Sequence, residues 1–357
     1  MREHDPEQWA ALSQQNANSD GSRCGQAFSG PAYGGVSNPL YGTLTVGRQQ
    51  SLELDAVGVY DPMSLPYAFS LLGYSNGTAG GIGSTETARW DNAVKYVVSY
   101  GPAHAAAMYT SGGPDTAIFN GAYGFNAGAI WKGFAIDAVY TRERGTVVSS
   151  AIPNPAYTTG VSCLPASCPN GLLGTISDNE AWSVMGKYSY QFEGGLKDEE
   201  PPSKLTVFAG YVHIDMGNPE DKAIPVGSTT IGGYELVGVT TNAYTTDKIL
   251  QTFWTGAKYE LPSGWSFTGA YYSYTQNEYI NSKGKNCATA AKALVGNPTP
   301  TNCAGYLNQT SFLIDYAFNK HFDAYAGVSY MNNGGGLDSG YLTDNMATFM
   351  TGLRLKF

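Results

Sequence analysis

The sequence predicts an all-β fold, a transmembrane antiparallel up-and-down β-barrel with one loop folded into its bore. Gly (45 residues) and Tyr (26) are abundant and only 14% of the 357 residues are charged, which is typical neither of a disordered chain nor of an ordinary soluble domain. Strand-length runs alternate apolar and polar side chains. The connections between these runs alternate between shorter and longer, as the two rims of such a barrel require.

Thirteen runs have this strand pattern. Between Trp182 and Phe192, for example, one face carries Trp182, Val184 and Tyr190, whereas Ser183 and Lys187 lie on the other. A soluble β-sandwich would show the same alternation. The predicted strands are 26–36, 40–48, 92–100, 103–111, 118–131, 133–142, 181–192, 204–215, 246–261, 264–278, 307–318, 322–331 and 344–357.

The connections separate the barrel from the sandwich, because a Greek-key sandwich has no reason to alternate short and long ones. Transmembrane helices are not predicted, since no run reaches ~18 consecutive apolar residues. The shorter connections are 37–39, 101–102, 132–133, 193–203, 262–264 and 319–321, and the longer ones are 49–91, 111–117, 143–180, 216–245, 279–306 and 332–343.

The segment Gln49–Asp91 is the longest connection and has no strand pattern. A loop of this length within a compact domain needs a function of its own. We therefore predict that 49–91 folds back into the bore and narrows it. Residues 26–357 would form the barrel and residues 1–25 the remnant of an external loop. The acidic residues of the segment are Glu53, Asp55, Asp61 and Glu86.

The cysteines suggest two local disulfides. Cys163 pairs with Cys168 in this interpretation and Cys287 with Cys303, each across a loop, which indicates an oxidising compartment. Free thiols are the alternative, and Cys24 is left over. The net charge of −9 gives no electrostatic basis for binding nucleic acid. The four scattered histidines suggest no metal site.

The chain ends with another alternating strand. Phe349, Leu353, Leu355 and Phe357 share one face, and Arg354 and Lys356 share the other. A terminal Phe preceded by apolar residues at alternate positions resembles the C-terminal signal that outer-membrane barrels present to their assembly machinery.

Four segments resemble the general bacterial porins, the trimeric Gram-negative porin family: Asn38–Gln49, Tyr60–Met63, Tyr67–Ser70 and Thr87–Tyr96. The resemblance implies a sixteen-stranded homotrimeric barrel among the lipid and lipopolysaccharide of the outer membrane. It also implies passive diffusion of ions and small hydrophilic solutes, no cofactor, and a constriction loop at 49–91 after the fifth strand.

The strand count carries a further expectation. If 40–48 is the fifth strand and 344–357 the sixteenth, about three strands of the family fold are absent. The first residues, Met1–Glu7, have no apolar stretch of the kind that a secretion signal contains. We therefore expect an N-terminally truncated porin.

Charges on the inner face would set the selectivity of such a pore. We expect the loop acids to face a basic wall, giving a field across the narrowest point. In the family, wall arginines play this part, and Arg23, Arg48 and Arg89 occupy matching places; alternation places Arg48 on the apolar face unless its strand has ended or bulged. Solvated rim charges are the alternative. The predicted wall bases are Arg23, Arg48, Arg89, Lys95, Lys187, Lys258 and Arg354.

Two other functions are possible for a barrel of this kind. An outer-membrane enzyme would need a Ser and a His at adjacent positions of one face; no such arrangement stands out, so we do not predict an enzyme. An adhesin or structural barrel would act through the long loops 143–180 and 279–306. That alternative predicts a closed or plugged bore.

Overall fold

The computed structural model describes residues 30–65, 68–72, 87–113, 116, 118–151, 172–192, 202–221, 229–231, 234–279, 287–288, 300–338 and 343–356. Several of the predicted residues lie outside these ranges, and what the sequence predicts of them stays a prediction. They are Arg23, Cys24, Glu86, Cys163, Cys168 and Phe357.

Thirteen strands form one antiparallel path in chain order. They are β1 (Ala32–Asn38), β2 (Gly42–Gln50), β3 (Arg89–Tyr100), β4 (Ala103–Thr110), β5 (Ala122–Trp131), β6 (Phe134–Ala151), β7 (Leu172–Gln191), β8 (Lys204–Gly217), β11 (Lys248–Glu260), β12 (Trp265–Gln276), β15 (Gly305–Ala317), β16 (Phe322–Gly335) and β17 (Asn345–Leu355). Shorter strands lie in two of the connections: β9 (Thr229–Ile231), β10 (Tyr234–Thr240), β13 (Cys287–Ala288) and β14 (Pro300–Thr301).

The thirteen predicted strands correspond one to one with this path, but the predicted loop 143–180 was too long. Strands β6 and β7 continue through much of it, pairing for example Thr146 with Ser177 and Val148 with Thr175. The alternation used for the prediction fades there although the backbone pairing persists. The connection 216–245 was also wrongly taken as free of strands, because it contains β9 and β10, and β10 pairs in parallel with the start of β7.

The two faces of the sheet differ as the alternation predicted. On β7, Trp182 and Val184 are each 45% exposed, whereas Ser183 and Met185 are each 1% exposed. A sheet with an exposed apolar face and a covered inner face suits a hydrocarbon surrounding. Other exposed apolar residues on the outward face include Leu44, Val46, Tyr96, Phe125, Trp131, Phe134, Ile136, Val207, Phe253, Phe312, Phe349, Leu353 and Leu355.

Strands β5 and β6 are joined by the two residues Lys132 and Gly133, with φ angles of 47° and 87°. Both angles lie in the left-handed region, which matches the twist of a two-residue hairpin. A Cβ atom added to Gly133 would lie 2.4 Å from the carbonyl oxygen of Ser189 on the neighbouring strand. This turn therefore requires glycine.

We predict that Gly133→Ala lowers the free energy of unfolding by roughly 1–2 kcal/mol, because alanine disfavours the left-handed conformation. Urea titration of the protein folded into lipid vesicles, followed by tryptophan fluorescence, measures this change. The matched control is Gly34→Ala, since a Cβ atom there meets nothing within 4 Å. Equal stability of the two variants would contradict the prediction.

Candidate functional site

The segment after β2 begins with a short helix, α1 (Leu52–Tyr60). The side chain of Ser51 accepts a hydrogen bond from the amide of Leu54 at 3.2 Å, and two acidic residues occupy the first turn, where they interact favourably with the helix dipole. Asp61 caps the other end, and Pro62 follows. Helix α1 is not predicted from the sequence, because its apolar residues form no single stripe.

Both ends of the segment are fixed to the wall. The amide of Ser51 donates to the carbonyl of Ala88 at 3.0 Å. Glu143 on β6 is fully buried and accepts hydrogen bonds from the hydroxyl of Thr87 and the indole of Trp90, each at 2.8 Å. The segment therefore leaves and rejoins the sheet at one place. Glu143 is not among the site residues predicted from the sequence.

Helix α1 packs against the inner faces of β6 and β7. The hydroxyl of Ser183 donates to Glu53 at 2.7 Å, and the ammonium of Lys187 donates to the carbonyl of Val59 at 3.1 Å. The hydroxyl of Tyr60 donates to Asp137 at 2.5 Å. Each of these three wall residues lies on the polar face that the alternation predicted.

The chain beyond α1 continues across the inner face toward the last strands. The indole of Trp254 on β11 donates to the carbonyl of Tyr60 at 3.0 Å, and Tyr272 on β12 donates to Asp61 at 2.5 Å. On β16, Ser329 donates to the carbonyl of Ala68 at 2.8 Å. One short segment thus contacts strands from β3 to β16, so the sheet must curve around it.

Close packing also fixes the segment around Phe69. Phe69 is 1% exposed, and a Cβ atom added to Gly327 on β16 would lie 2.9 Å from its ring. Glycine at this position lets the aromatic ring rest on the strand backbone. Phe69 belongs with Leu71 and Leu72 to the buried cluster that fills the space between the segment and the wall.

The predicted loop acids have different surroundings. Asp55 forms an ion pair with Lys95 on β3, as the expectation of an acidic loop facing a basic wall requires. Glu53 and Asp61 are only 1% and 2% exposed. Their described partners are hydroxyl groups and backbone amides rather than bases. For these two acids the structure therefore differs from that expectation.

Arg48 faces inward because the pairing of β2 with β3 shifts register between Gly47 and Gln49. This irregularity is the bulge that alternation required for Arg48 to leave the apolar face. Its guanidinium lies 2.5 Å from the carboxylate of Asp91, and Arg48 is 8% exposed. Arg89 begins β3 and is half-buried.

Other wall bases have acids of the wall itself as partners. Arg354 lies 2.6 Å from Asp315 and 2.9 Å from Asp323. Lys258 lies 3.1 Å from Glu260. These three acids are not among the predicted partners, although strand alternation places them on the inner face and could have identified them.

Burial sets the ionisation of the loop acids. It raises the pKa of Glu53 to about 7, and the hydrogen bond from Ser183 only partly opposes this. Burial likewise raises the pKa of Asp61 above its ordinary value, against hydrogen bonds from Tyr272 and Ser70. Desolvation disfavours the charged carboxylate in both cases. The protonated form of Glu53 therefore suits its buried position against the wall.

Cys303, at the base of the predicted disulfide loop, is buried and disulfide-bonded. Its predicted pairing with Cys287 stays a prediction. Among the described residues, no group of His, Cys, Asp or Glu side chains is arranged to hold a metal ion. No helix in the described part of the chain is both long and apolar enough to cross a membrane.

Comparison with known proteins gives a consistent result. The family model for Gram-negative porins matches residues 9–336. The anion-selective porin from Comamonas acidovorans is 13% identical, with a TM-score of 0.51 over 90% of this chain and 75% of that chain. In-vitro folded OmpT of Vibrio cholerae is 14% identical, with a TM-score of 0.53 over 90% and 78%. Its trimer form is 15% identical, with a TM-score of 0.50 over 90% and 79%. A comparison with curated proteins gives no match.

We predict that the docking of α1 weakens as the pH rises from 4.5 to 7. In this window the folded chain retains a proton on Glu53 that the unfolded chain releases, so the stability falls with rising pH and is level above pH 7. Amide hydrogen exchange of residues 52–60 at pH 5.5 and 8, corrected for the intrinsic rate, should show less protection at pH 8.

The matched variant is Glu53→Gln, because the glutamine side chain has nearly the same shape as that of glutamate and cannot ionise. It should lose most of the pH dependence, and the remainder reports on Asp61, whose pKa is shifted in the same direction. A wild-type protection that is independent of pH would contradict the assignment of Glu53.

Proposed function

This chain belongs to the Gram-negative porin family, and we propose that it lets ions and small hydrophilic solutes diffuse passively through a water-filled bore. As a member of that family it is a β-barrel porin of the bacterial outer membrane. The observation that carries the proposal is the position of residues 51–65 and 68–72, which lie against inward-facing polar groups from β3 to β16. The apolar side chains of the same strands remain exposed on the outward face.

We propose that residues 49–91 form the constriction. Their described part is held by side chains of the wall, so its position is fixed relative to the barrel rather than free to move aside. The ion pair of Asp55 with Lys95 places opposite charges on the loop and the wall. Such a pair in a narrow bore with low-dielectric walls produces a local field that acts on passing ions.

We also propose a homotrimer surrounded by outer-membrane lipid and lipopolysaccharide. The trimer form of OmpT supports the oligomeric state by similarity of fold. The exposed apolar outward face suits contact with lipid, and β17 presents Phe349, Leu353 and Leu355, at 80%, 70% and 58% exposure, for recognition by the barrel assembly machinery.

Planar-bilayer conductance of the protein extracted from outer membranes tests this function. We expect stable current steps that close in threes, because three bores gate independently within one trimer. The reversal potential in a salt gradient gives the ion preference. A well-folded trimer without conductance would contradict the proposal and favour an adhesin or structural barrel with a plugged bore.

We predict that Tyr272→Phe increases the open-channel noise or the conductance. The substitution removes the 2.5 Å hydrogen bond to Asp61, and loss of a donor to a buried carboxylate costs about 1–3 kcal/mol. The segment should then leave the wall more often. The control is Tyr271→Phe on the same strand, which is 40% exposed on the outward face. Identical traces for both variants would show that Tyr272 does not hold the constriction.

A further inference from the structure

We infer that the inner wall beside the C-terminal end of α1 carries a binding subsite for a compact multivalent anion of the phosphate type, formed by Lys187, Lys204 and Lys258. The inference rests on the proposed channel function and names a class of solute that binds within the bore during its passage. Lys204 was not among the predicted wall bases.

The three lysines lie on adjacent strands, β7, β8 and β11, and on the same inward face. In the sheet register Lys204 is opposite Glu260, and Lys258 is opposite Thr206. The hydrogen bond from Lys187 to the carbonyl of Val59 shows that the side chain of Lys187 points toward the bore. Lys258 has the same parity on β11 as Trp254, whose indole contacts the segment inside the bore.

Among the described residues of this cluster, the charges do not balance. Lys204 and Lys258 lie 3.3 and 3.1 Å from the two oxygens of a single carboxylate, Glu260. Lys187 on β7 pairs with Phe208 on β8, four residues along that strand from Lys204. The described charges of the cluster are thus three ammonium groups and one carboxylate.

Asp137 does not cancel the excess, because it is 7% exposed and already engaged. It accepts hydrogen bonds from Tyr60 at 2.5 Å and Asn126 at 2.7 Å, and it lies 2.7 Å from His104. The side chains of Lys204 and Lys258, in contrast, are 40% and 36% exposed. An anion in the bore therefore reaches the lysines and not this acid.

The surroundings supply one further donor. The hydroxyls of Ser189 and Thr206 lie 3.0 Å apart on the same face, and the one that accepts this hydrogen bond keeps its own proton to donate to an anion oxygen. Lysine binds phosphate as a mobile point charge. A multivalent anion gains more from several ammonium groups than chloride does, because the Coulomb energy scales with the product of the charges.

The position beside the segment gives the subsite a role in permeation. The carbonyl of Val59 belongs to the last turn of α1, where the negative end of the helix dipole stabilises the ammonium of Lys187. A solute held by the three lysines sits next to the proposed constriction. The subsite therefore concentrates anions at the step that limits their passage.

Single-channel current in potassium chloride with added inorganic phosphate tests the subsite. Phosphate should reduce the wild-type current in a saturable way. Lys204→Gln and Lys258→Gln should each weaken this block by roughly threefold or more, because each removes one nearby charge. Glu260→Gln should strengthen the block and shift the reversal potential toward anions.

The control is Lys320→Gln, an exposed lysine in the turn between β15 and β16, which should leave the block unchanged. A block that is equal in the wild type and in both lysine variants, or that is unaffected by Glu260→Gln, overturns the subsite. Absence of any channel current overturns the proposed function itself, whereas normal current without phosphate block overturns the subsite alone. Each variant that conducts has also folded.

Discussion

The hydrogen-bonded ladder of the strands is the constraint on which the other features depend. In hydrocarbon, a backbone amide or carbonyl without a partner costs several kcal/mol, so spanning strands must pair along their whole length. Pairing fixes the register, and the register assigns every side chain to the lipid or to the bore. The outward face can then be almost wholly apolar, and hydroxyls, amides and charges collect inside.

That inner face explains how a polar chain segment can be held in place without forming a sheet of its own. Residues 51–65 and 68–72 offer carboxylates and backbone carbonyls, and the wall offers matching donors such as Ser183, Trp254 and Tyr272. Burial of Glu53 and Asp61 costs desolvation energy. The neutral donors offset part of this cost, and the apolar cluster around Phe69 supplies further stabilisation.

Sequence patterns predicted the strands well because the lipid imposes a strict period of two. The same patterns failed where lipid is absent. The predicted strands 133–142 and 181–192 are shorter than β6 and β7, because the alternation fades toward the far ends of these two strands. Helix α1 was not predicted, because neither of its sides faces a uniform solvent. The order and spacing of the segments around Gln49 nevertheless indicated the family.

The interior charges were harder to predict. Alternation correctly placed Lys187 and Lys258 on the inner face, but it does not tell which partners they meet. Partners come from the register between neighbouring strands, as with Lys204 and Glu260, and register is set by turns and bulges rather than by hydropathy. The burial of Glu53 likewise depends on the position at which the segment packs against the wall.

The hairpin of β6 and β7 is much longer than a bilayer requires. Its strands have 18 and 20 residues, whereas a tilted strand crosses with ~9–11. The surplus lies on the side of the long connections, which is extracellular in such barrels. There β10 pairs along the start of β7, so the described part of this extension is a sheet of three strands. An antibody or a bacteriophage that approaches from outside would meet this extension before the bore, and changes in its sequence would alter recognition of the cell without reshaping the passage below.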